Sequence, residues 1–415
     1  MSYSTIIIGV SVVLTTLFIV KKLRKPKRKP NVQLKFINPS SEDPIDTKYD
    51  NIYLITGGNG FLGTQIVRLL QERKKNKKIK IYIFDVVAPT PNRAIKGIHY
   101  IVGDLTDENH IRKALIASQA DTLFHAASLK PGAGIAEALL TKINVGGTQN
   151  ILNQLNSDKE VRVNRIIYTS SATVVLGKDT GNLLNIREDQ EYPAIPLDGY
   201  TKTKGEAEKL IIAASGKLVN GRGEPVICLS LRPTGIFGRD DNYLAGPLLQ
   251  GENDRYVGAG TALVDWIDSE NVALAHVLAE ENFHPGSRLV SQIYTIAHKD
   301  KFEYRQFNGY QSTGPNGEPN LCHWGTPHPR SIPIGVCQVL AFINESSVKL
   351  FGVAPFGLAL TLATLKFTQT SYTFSTDKAR EHFGFYPAKS LSETIKEFAK
   401  GPNTYYTRRI NAAKK

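Results

Sequence analysis

The sequence predicts an α/β protein with a doubly wound parallel sheet, a smaller C-terminal lobe and a single N-terminal transmembrane helix. Three observations carry this prediction. Short apolar runs alternate with longer helical patterns between residues 51 and 232. A glycine-rich turn joins the first apolar run to the first helix. Residues 3–20 form an apolar stretch without a charged side chain.

The predicted sheet follows from six short apolar runs, each of a length typical of a buried strand. The strands are expected at Asn51–Thr56, Ile79–Asp85, His99–Val102, 122–126, 165–170 and 226–232, with helices at Phe61–Arg73 and 141–155. Ligands of such sheets lie at the carboxyl ends of the strands.

The extreme N-terminus predicts a membrane anchor. Eighteen helical residues span about 27 Å, close to the thickness of an endoplasmic reticulum bilayer. Seven basic residues follow within residues 21–29, and the positive-inside rule places them, and the body of the protein, in the cytosol. A cleaved signal peptide is disfavoured because a basic leading region and a small-residue cleavage site are lacking.

Length, cysteine spacing and charge distribution exclude some classes of function. The 415 residues suffice for a large core and a smaller lobe. Cys228, Cys322 and Cys337 lie far apart, without the paired spacing of a metal site, and suit a reducing compartment. Most of the net charge of +13 comes from two basic runs, 21–29 and 73–80, which lack interleaved aromatic residues. This distribution argues against nucleic-acid binding.

The turn at residues 56–63, Thr-Gly-Gly-Asn-Gly-Phe-Leu-Gly, predicts a Rossmann-type dinucleotide site. Gly57 allows the tight turn, Gly60 lets pyrophosphate approach the backbone, and Gly63 permits close packing of the helix. The free amides and the positive end of the helix then bind the phosphate charge.

Asp85 ends the next strand, where a carboxylate hydrogen-bonds the adenosine ribose and repels a 2′-phosphate. It therefore favours NAD over NADP, and the alternative is a turn residue at a strand end. Asp104, after the third strand, is predicted to contact adenine or to cap the following helix, and these two roles are compatible.

The cofactor motif and the changes of composition divide the chain into five parts. These are the anchor (1–20), a basic linker (21–48), the NAD-binding domain (49–238), the substrate-binding lobe (239–400) and a basic tail (401–415). Residues 264–298 of the lobe are expected to return to the core.

Tyr200 and Lys204 are the predicted catalytic pair, because residues four apart share one helix face. A phenol with a pKa near 10 is a poor base at neutral pH. The lysine charge is expected to lower that pKa, and the lysine is expected to bind the nicotinamide ribose. Ser171, after the fifth strand, is expected to donate to the substrate oxygen. Its neighbour Ser170 is the alternative, as is a simple turn-capping role for either serine.

These residues resemble the extended short-chain dehydrogenases/reductases, in particular the 3β-hydroxysteroid dehydrogenase group and, within it, sterol-4α-carboxylate 3-dehydrogenases. The resembling segments are 56–63, 124–128, 144–148, 170–177, 200–204, 231–238, 264–273, 373–375, 378–379 and 383–385. The sequence departs from the group at residues 239–241, Arg-Asp-Asp, where a proline and a glycine are usual, and at 308–330.

The resemblance implies oxidation at carbon 3 of a sterol, with Tyr200 taking the hydroxyl proton and Asn144 positioning Lys204 through a water. It also implies cofactor contacts from Phe61, Leu62 and Ala126, and a homodimer formed through the helix that carries Tyr200. A carboxylate on carbon 4 would then leave as carbon dioxide, since the product is a β-keto acid. A hydroxysteroid dehydrogenase/isomerase, an epimerase on the same scaffold and a non-catalytic dinucleotide sensor remain alternatives.

Two apolar segments, 332–343 and 351–367, lie in the predicted substrate lobe. They are expected to be either two buried core helices or, for one of them, a helix in the bilayer interface that admits a lipid substrate.

Overall fold

The computed structural model describes residues 32–38, 48–91, 93–130, 135–238, 255–307, 312–313, 319–320, 330–356 and 360–399. The predicted transmembrane helix, most of the basic linker, the basic tail and the departing segment 239–241 lie outside the described residues.

Eighteen strands are present in the described part of the chain. They are β1 (Lys35–Ile37), β2 (Asn51–Thr56), β3 (Ile79–Asp85), β4 (His99–Val102), β5 (Thr122–His125), β6 (Arg165–Thr169), β7 (Leu183–Ile186), β8 (Ile227–Pro233), β9 (Gly235–Phe237), β10 (Arg255–Val257), β11 (Leu263–Val264), β12 (Trp266–Asp268), β13 (Ile293–Ile296), β14 (Phe302–Glu303), β15 (Ser312–Thr313), β16 (Pro319–Asn320), β17 (Arg330–Ile332) and β18 (Tyr372–Phe374). The six predicted strands are confirmed to within one residue at each end.

The main sheet has eight strands in the order β1-β4-β3-β2-β5-β6-β8-β13. All neighbours are parallel except β1, which pairs antiparallel with β4. The order reverses between β2 and β5, and their last residues, Thr56 and His125, stand side by side. A crevice for a ligand therefore opens at this edge, which confirms the predicted parallel sheet.

The helices cover both faces of this sheet. They are α1 (Phe61–Arg73), α2 (Glu108–Ser118), α3 (Glu137–Leu140), α4 (Gly147–Ser157), α5 (Gly199–Ala214), α6 (Ser269–Glu281), α7 (Tyr304–Phe307), α8 (Ile334–Phe351), α9 (Leu362–Gln369), α10 (Asp377–Phe383) and α11 (Leu391–Ala399). Buried side chains of α1, α6 and α10 form one core cluster with the sheet. Those of α2, α4 and α5 form a second.

The predicted helical segment 141–155 is confirmed, but its first part is not a regular α-helix. Residues Thr141–Gly146 form a π-helix, and the regular helix begins only at Gly147. A Cβ on Gly147 would lie 2.5 Å from the side chain of Leu105, so the segment passes close to the loop after β4. Such π-turns are frequent at functional sites, and this one contains Asn144.

A four-stranded sheet in the order β14-β11-β18-β7 joins three strands of the C-terminal lobe to β7, which lies within residues 49–238. Between its strands, the chain returns to the main sheet through α6 and β13. Helices α8 and α9 pack together around Cys337, Ala341 and Leu365.

Candidate active site

The glycine loop lies at the carboxyl edge of β2. Gly57 has a φ of +70°, and its amide donates to the Phe84 carbonyl over 2.8 Å. A Cβ on Gly57 would lie 2.8 Å from the Cα of Ala127, which follows β5. The turn is therefore open only to glycine, and it brings the loop against the end of the neighbouring strand.

The start of α1 fits a phosphate group. Gly60 is the N-cap and has no side chain to cover the first turn, which begins with Phe61 and Leu62. A Cβ on Gly63 would lie 2.6 Å from the backbone of Gly58, so helix and loop are in direct contact. This cradle suits a dinucleotide pyrophosphate. Direct contacts of Phe61, Leu62 and Ala126 with the cofactor stay predictions.

Asp85 connects the end of β3 to the glycine loop. Its carboxylate accepts from the Asn59 amide over 3.0 Å and from the Val87 amide over 3.1 Å. Burial raises the pKa of Asp85, and these backbone bonds oppose the shift. Asp85 thus holds a turn at the strand end, and it lies beside the loop where a ribose is expected.

Asp85→Asn is expected to reduce the preference for NAD over NADP at least about tenfold. Two unit charges about 5 Å apart repel by about 3 kcal/mol at an effective dielectric near 20. The amide removes this repulsion but retains an oxygen that can accept a backbone bond. The measurement is kcat/KM with each cofactor, with Asp104→Asn as the control. An unchanged ratio would show that Asp85 only holds the turn.

The predicted helix cap at Asp104 is wrong. Asp107 is the N-cap of α2, and its carboxylate accepts from the amides of Asn109 and His110. The Asp104 carboxylate instead accepts from the Thr106 amide over 2.8 Å. A cap at Asp104 would require the helix to begin at residue 105, but α2 begins three residues later, at Glu108. The adenine contact stays a prediction.

Tyr200 and Ser171 lie together at the carboxyl ends of β6 and β8. Asp198 caps α5 by accepting from the Thr201 amide over 2.7 Å, which places Tyr200 in the first turn. Ser171 caps a 3-10 helix, Ala172–Val175, and its side chain is hydrogen-bonded to Tyr200. The buried Ser170 hydroxyl has no partner within the described residues. The serine beside the phenol is therefore Ser171, and Ser170 offers a spare buried hydroxyl.

Lys204 lies one turn after Tyr200 and is buried. Its ammonium donates to the Thr169 carbonyl over 2.5 Å and lies 4.2 Å from the ring centre of Tyr168. Burial lowers the pKa of Lys204 to about 7, against the opposing charge of Glu208.

The prediction that Lys204 lowers the pKa of Tyr200 is wrong. Burial raises the pKa of Tyr200 to about 12, although the hydrogen bond with Ser171 opposes this and the charge of Asp198 adds to it. Burial is the largest cause of the shift, because it disfavours the charged phenolate.

Asn144 connects the loop after β5 to α5. Its amide nitrogen donates to the Thr203 hydroxyl over 3.1 Å, and its oxygen accepts from the Leu129 amide over 2.8 Å. Asn144 is therefore placed beside the neighbour of Lys204. Its link to Lys204 through a water stays a prediction.

His125 was assigned no role from the sequence, although it lies in a segment that carries the resemblance. Its two ring nitrogens lie 2.8 Å from the Thr56 hydroxyl and 2.9 Å from that of Thr148. Burial, together with the charge of Lys204, lowers the pKa of His125 to about 3. A neutral imidazole therefore joins the ends of β2 and β5 beneath the crevice.

Glu208 is the second residue that sequence reasoning missed. Its carboxylate accepts from the Arg232 guanidinium over 2.8 and 3.0 Å, from the Tyr192 hydroxyl over 2.7 Å and from the Ser230 hydroxyl over 2.7 Å. Glu208 follows Lys204 by four residues, and this spacing indicates that both side chains lie on one face of the helix. This buried network connects the helix of the catalytic pair to β8.

Comparison with known proteins gives one family and several relatives. The model of the 3-beta hydroxysteroid dehydrogenase/isomerase family matches residues 54–314. The 3beta-hydroxysteroid-dehydrogenase/decarboxylase isoform 2 of Arabidopsis thaliana is 29% identical over 378 residues, covering 85% of this chain and 62% of that protein. A decarboxylating sterol-4-alpha-carboxylate 3-dehydrogenase of Candida albicans is 33% identical over 240 residues, covering 55% and 64%. The chain spans less than two thirds of the length of these two relatives.

Among solved structures, the Thermus thermophilus UDP-glucose 4-epimerase in complex with NAD is similar, with a TM-score of 0.55 and 18% identity. The match covers 84% of this chain and 99% of that one. At this identity the likeness shows the fold, which is the Rossmann-like fold that the glycine loop predicts.

Proposed function

The chain belongs to the 3-beta hydroxysteroid dehydrogenase/isomerase family, and from this premise we propose that it oxidises the 3β-hydroxyl of a sterol with NAD. The observation that carries the proposal is the placement of Ser171 against Tyr200, with Lys204 one turn away. Ser171 follows β6 of the main sheet, and Tyr200 and Lys204 lie in the first turns of α5. The preferred substrate is a 4α-carboxysterol, as the name of the Candida relative supports.

Each residue of the site has a separate role in the proposed reaction. Ser171 donates a hydrogen bond to the sterol oxygen, and the Tyr200 oxygen takes the hydroxyl proton. A bound NAD would supply the acceptor for the hydride from carbon 3. Lys204 would contact the ribose and hold the positive charge that stabilises a phenolate.

Decarboxylation needs no further protein group. Oxidation at carbon 3 gives a β-keto acid, in which the bond between carbon 4 and the carboxylate breaks to release carbon dioxide. The electron pair of that bond passes to the ketone as an enolate, which a solvent proton converts to the sterol ketone. This step explains why a hydroxyl dehydrogenase would serve the removal of a carbon-4 substituent.

We also infer that the protein resides at the endoplasmic reticulum membrane, with its catalytic domain facing the cytosol. The support is the uncharged segment 3–20 and the basic run 21–29 that follows it. An insoluble sterol substrate suits an enzyme held at a membrane.

The test uses the full chain in mild detergent with NAD and a 4-carboxysterol, and follows NADH and carbon dioxide together. Equal amounts of both are expected. NADH from simple 3β-hydroxysteroids, without carbon dioxide from the 4-carboxysterol, would instead establish a steroid dehydrogenase. Tight NAD binding without either product, combined with turnover of a nucleotide sugar, would replace the proposal with an epimerase.

A further inference from the structure

The ammonium of Lys204 is buried among few groups that can stabilise its charge. Lys204 is 2% exposed. Within the described residues, its ammonium has one hydrogen-bond acceptor, the Thr169 carbonyl at 2.5 Å. The carboxylate one turn later, Glu208, is paired with Arg232 and not with Lys204. A buried cation in such surroundings needs a further favourable contact to stay charged.

The ring of Tyr168 supplies such a contact. Tyr168 precedes Thr169 in β6, and its side chain packs in the core cluster that α5 covers. The Lys204 nitrogen lies over the Tyr168 ring, 4.2 Å from its centre. A cation within about 6 Å of the centre of an aromatic face is attracted by the ring, most strongly where water is excluded. Tyr168 is itself buried, so this condition is met.

The hydroxyl of Tyr168 does not stabilise the ammonium. It is buried and has no hydrogen-bond partner within the described residues. Burial raises the pKa of Tyr168 well above its ordinary value, so the phenol is neutral and cannot serve as a counterion. The imidazole of His125 lies beside the same ring, at 5.3 Å between ring centres, and is neutral as well. The face of the ring is therefore the part of Tyr168 that acts on Lys204.

We propose that Tyr168 is a positioning residue of the active site, whose ring face holds the Lys204 ammonium in place and keeps it charged. The ring and the Thr169 carbonyl come from consecutive residues of β6, and the same strand leads to Ser171. One strand end thus positions both the ammonium and the serine that is hydrogen-bonded to Tyr200. The importance of this role for catalysis rests on the proposed function, in which Lys204 acts as an ammonium.

The first experiment measures the charge of Lys204 without any turnover. The full chain in mild detergent is labelled briefly with acetic anhydride, which reacts with neutral amines, from about pH 5 to about pH 10. Mass spectrometry then gives the acetylated fraction at Lys204 and at the exposed Lys202, an internal reference two residues away. Burial slows labelling of Lys204, but the midpoint of its pH dependence still reports its pKa, which burial lowers to about 7.

Tyr168→Leu removes the ring and is expected to move the Lys204 midpoint down by about one pH unit, the size of a desolvated cation–π contact. Tyr168→Phe keeps the ring face and should leave the midpoint within about 0.3 unit. Phe124→Leu is the matched control, since it removes a buried ring from the neighbouring strand β5 on the other face of the sheet. It should leave the midpoint unchanged. If Tyr168→Leu does not fold, Tyr168→Met provides an adaptable apolar side chain in its place.

An unchanged midpoint in the variant without the ring would overturn the proposal. Equal downward shifts in Tyr168→Leu and Tyr168→Phe would also overturn it, because they would assign the effect to the hydroxyl. An equal shift in Phe124→Leu would do the same by indicating general damage to the sheet.

The second experiment connects the charge of Lys204 to catalysis. The ammonium is lost as pH rises through the pKa of Lys204, so a lower pKa ends activity at a lower pH. The alkaline limb of kcat/KM with NAD and the 4-carboxysterol should therefore move down by about one unit in Tyr168→Leu and stay in place in Tyr168→Phe. A labelling shift without a shift of this limb would overturn the positioning role. Absence of sterol oxidation by the unsubstituted protein would refute the proposed function and leave the labelling result intact.

Discussion

Tyr200→Phe is expected to lower turnover by at least about 10²-fold, the usual size of an acid/base contribution, while NAD affinity stays within about twofold. The substitution removes only the hydroxyl that is hydrogen-bonded to Ser171. It leaves α5, its Asp198 cap and the position of Lys204 unchanged. Single-turnover rates and NAD titration by fluorescence measure the two quantities separately.

The control for this variant is Tyr386→Phe, which removes an exposed phenol outside the site. It is expected to keep the turnover of the unsubstituted protein. Turnover of Tyr200→Phe within tenfold of that value would exclude Tyr200 as the acid/base. Equal losses in both variants would indicate general damage.

Desolvation disfavours the charged forms of both Tyr200 and Lys204. The Lys204 pKa is lowered to about 7 and the Tyr200 pKa is raised to about 12, in both cases chiefly by burial. The reactive form requires the opposite arrangement, with a phenolate at Tyr200 and an ammonium at Lys204. Any ligand that accepts hydrogen bonds from the ammonium, such as ribose hydroxyls, shifts the proton in the productive direction.

The sequence predicted the parts of this protein that depend on local pattern. The strands, the glycine loop and the N-terminal half of α5 follow from short runs whose spacing fixes their geometry. The direction of the Tyr200 shift did not follow, because it depends on desolvation by the folded protein and not on the spacing of Tyr200 and Lys204 alone. The π-helical form of Thr141–Gly146 was not predicted either, because the sequence indicated only that the segment is helical.

The partner of Glu208 could not be predicted from the sequence either. The four-residue spacing from Lys204 indicated a shared helix face, but Arg232 lies 24 residues away on a strand. Only the packing of α5 on β8 brings them together. Burial on its own would raise the pKa of Glu208, but the charge and hydrogen bonds of Arg232, with the hydroxyls of Tyr192 and Ser230, outweigh it and lower the pKa.

Glu208→Gln is expected to lower the free energy of unfolding by about 3 kcal/mol or more, since it leaves the buried Arg232 charge without a counterion. The depressed pKa sets the pH dependence. The stabilisation by the ionised Glu208 carboxylate is complete above the ordinary glutamate pKa of about 4.3. It is lost as the pH falls through the lower pKa that Glu208 has in the folded protein. The difference between the two proteins should therefore be full at neutral pH and shrink in acid. Urea unfolding at several pH values measures it.

Two further variants separate an unpaired charge from simple damage to α5. Glu137→Gln breaks an exposed ion pair with Lys202, which lies on α5 as Glu208 does. This variant should leave the unfolding free energy unchanged within error. Combining Glu208→Gln with Arg232→Met removes both charges and should recover part of the lost stability. A double variant as unstable as the sum of its parts would mean that the network acts through packing alone. Recovery would instead establish that the charge of Arg232 makes Glu208 indispensable, and that the helix carrying Tyr200 and Lys204 is held to β8 by a buried ion pair.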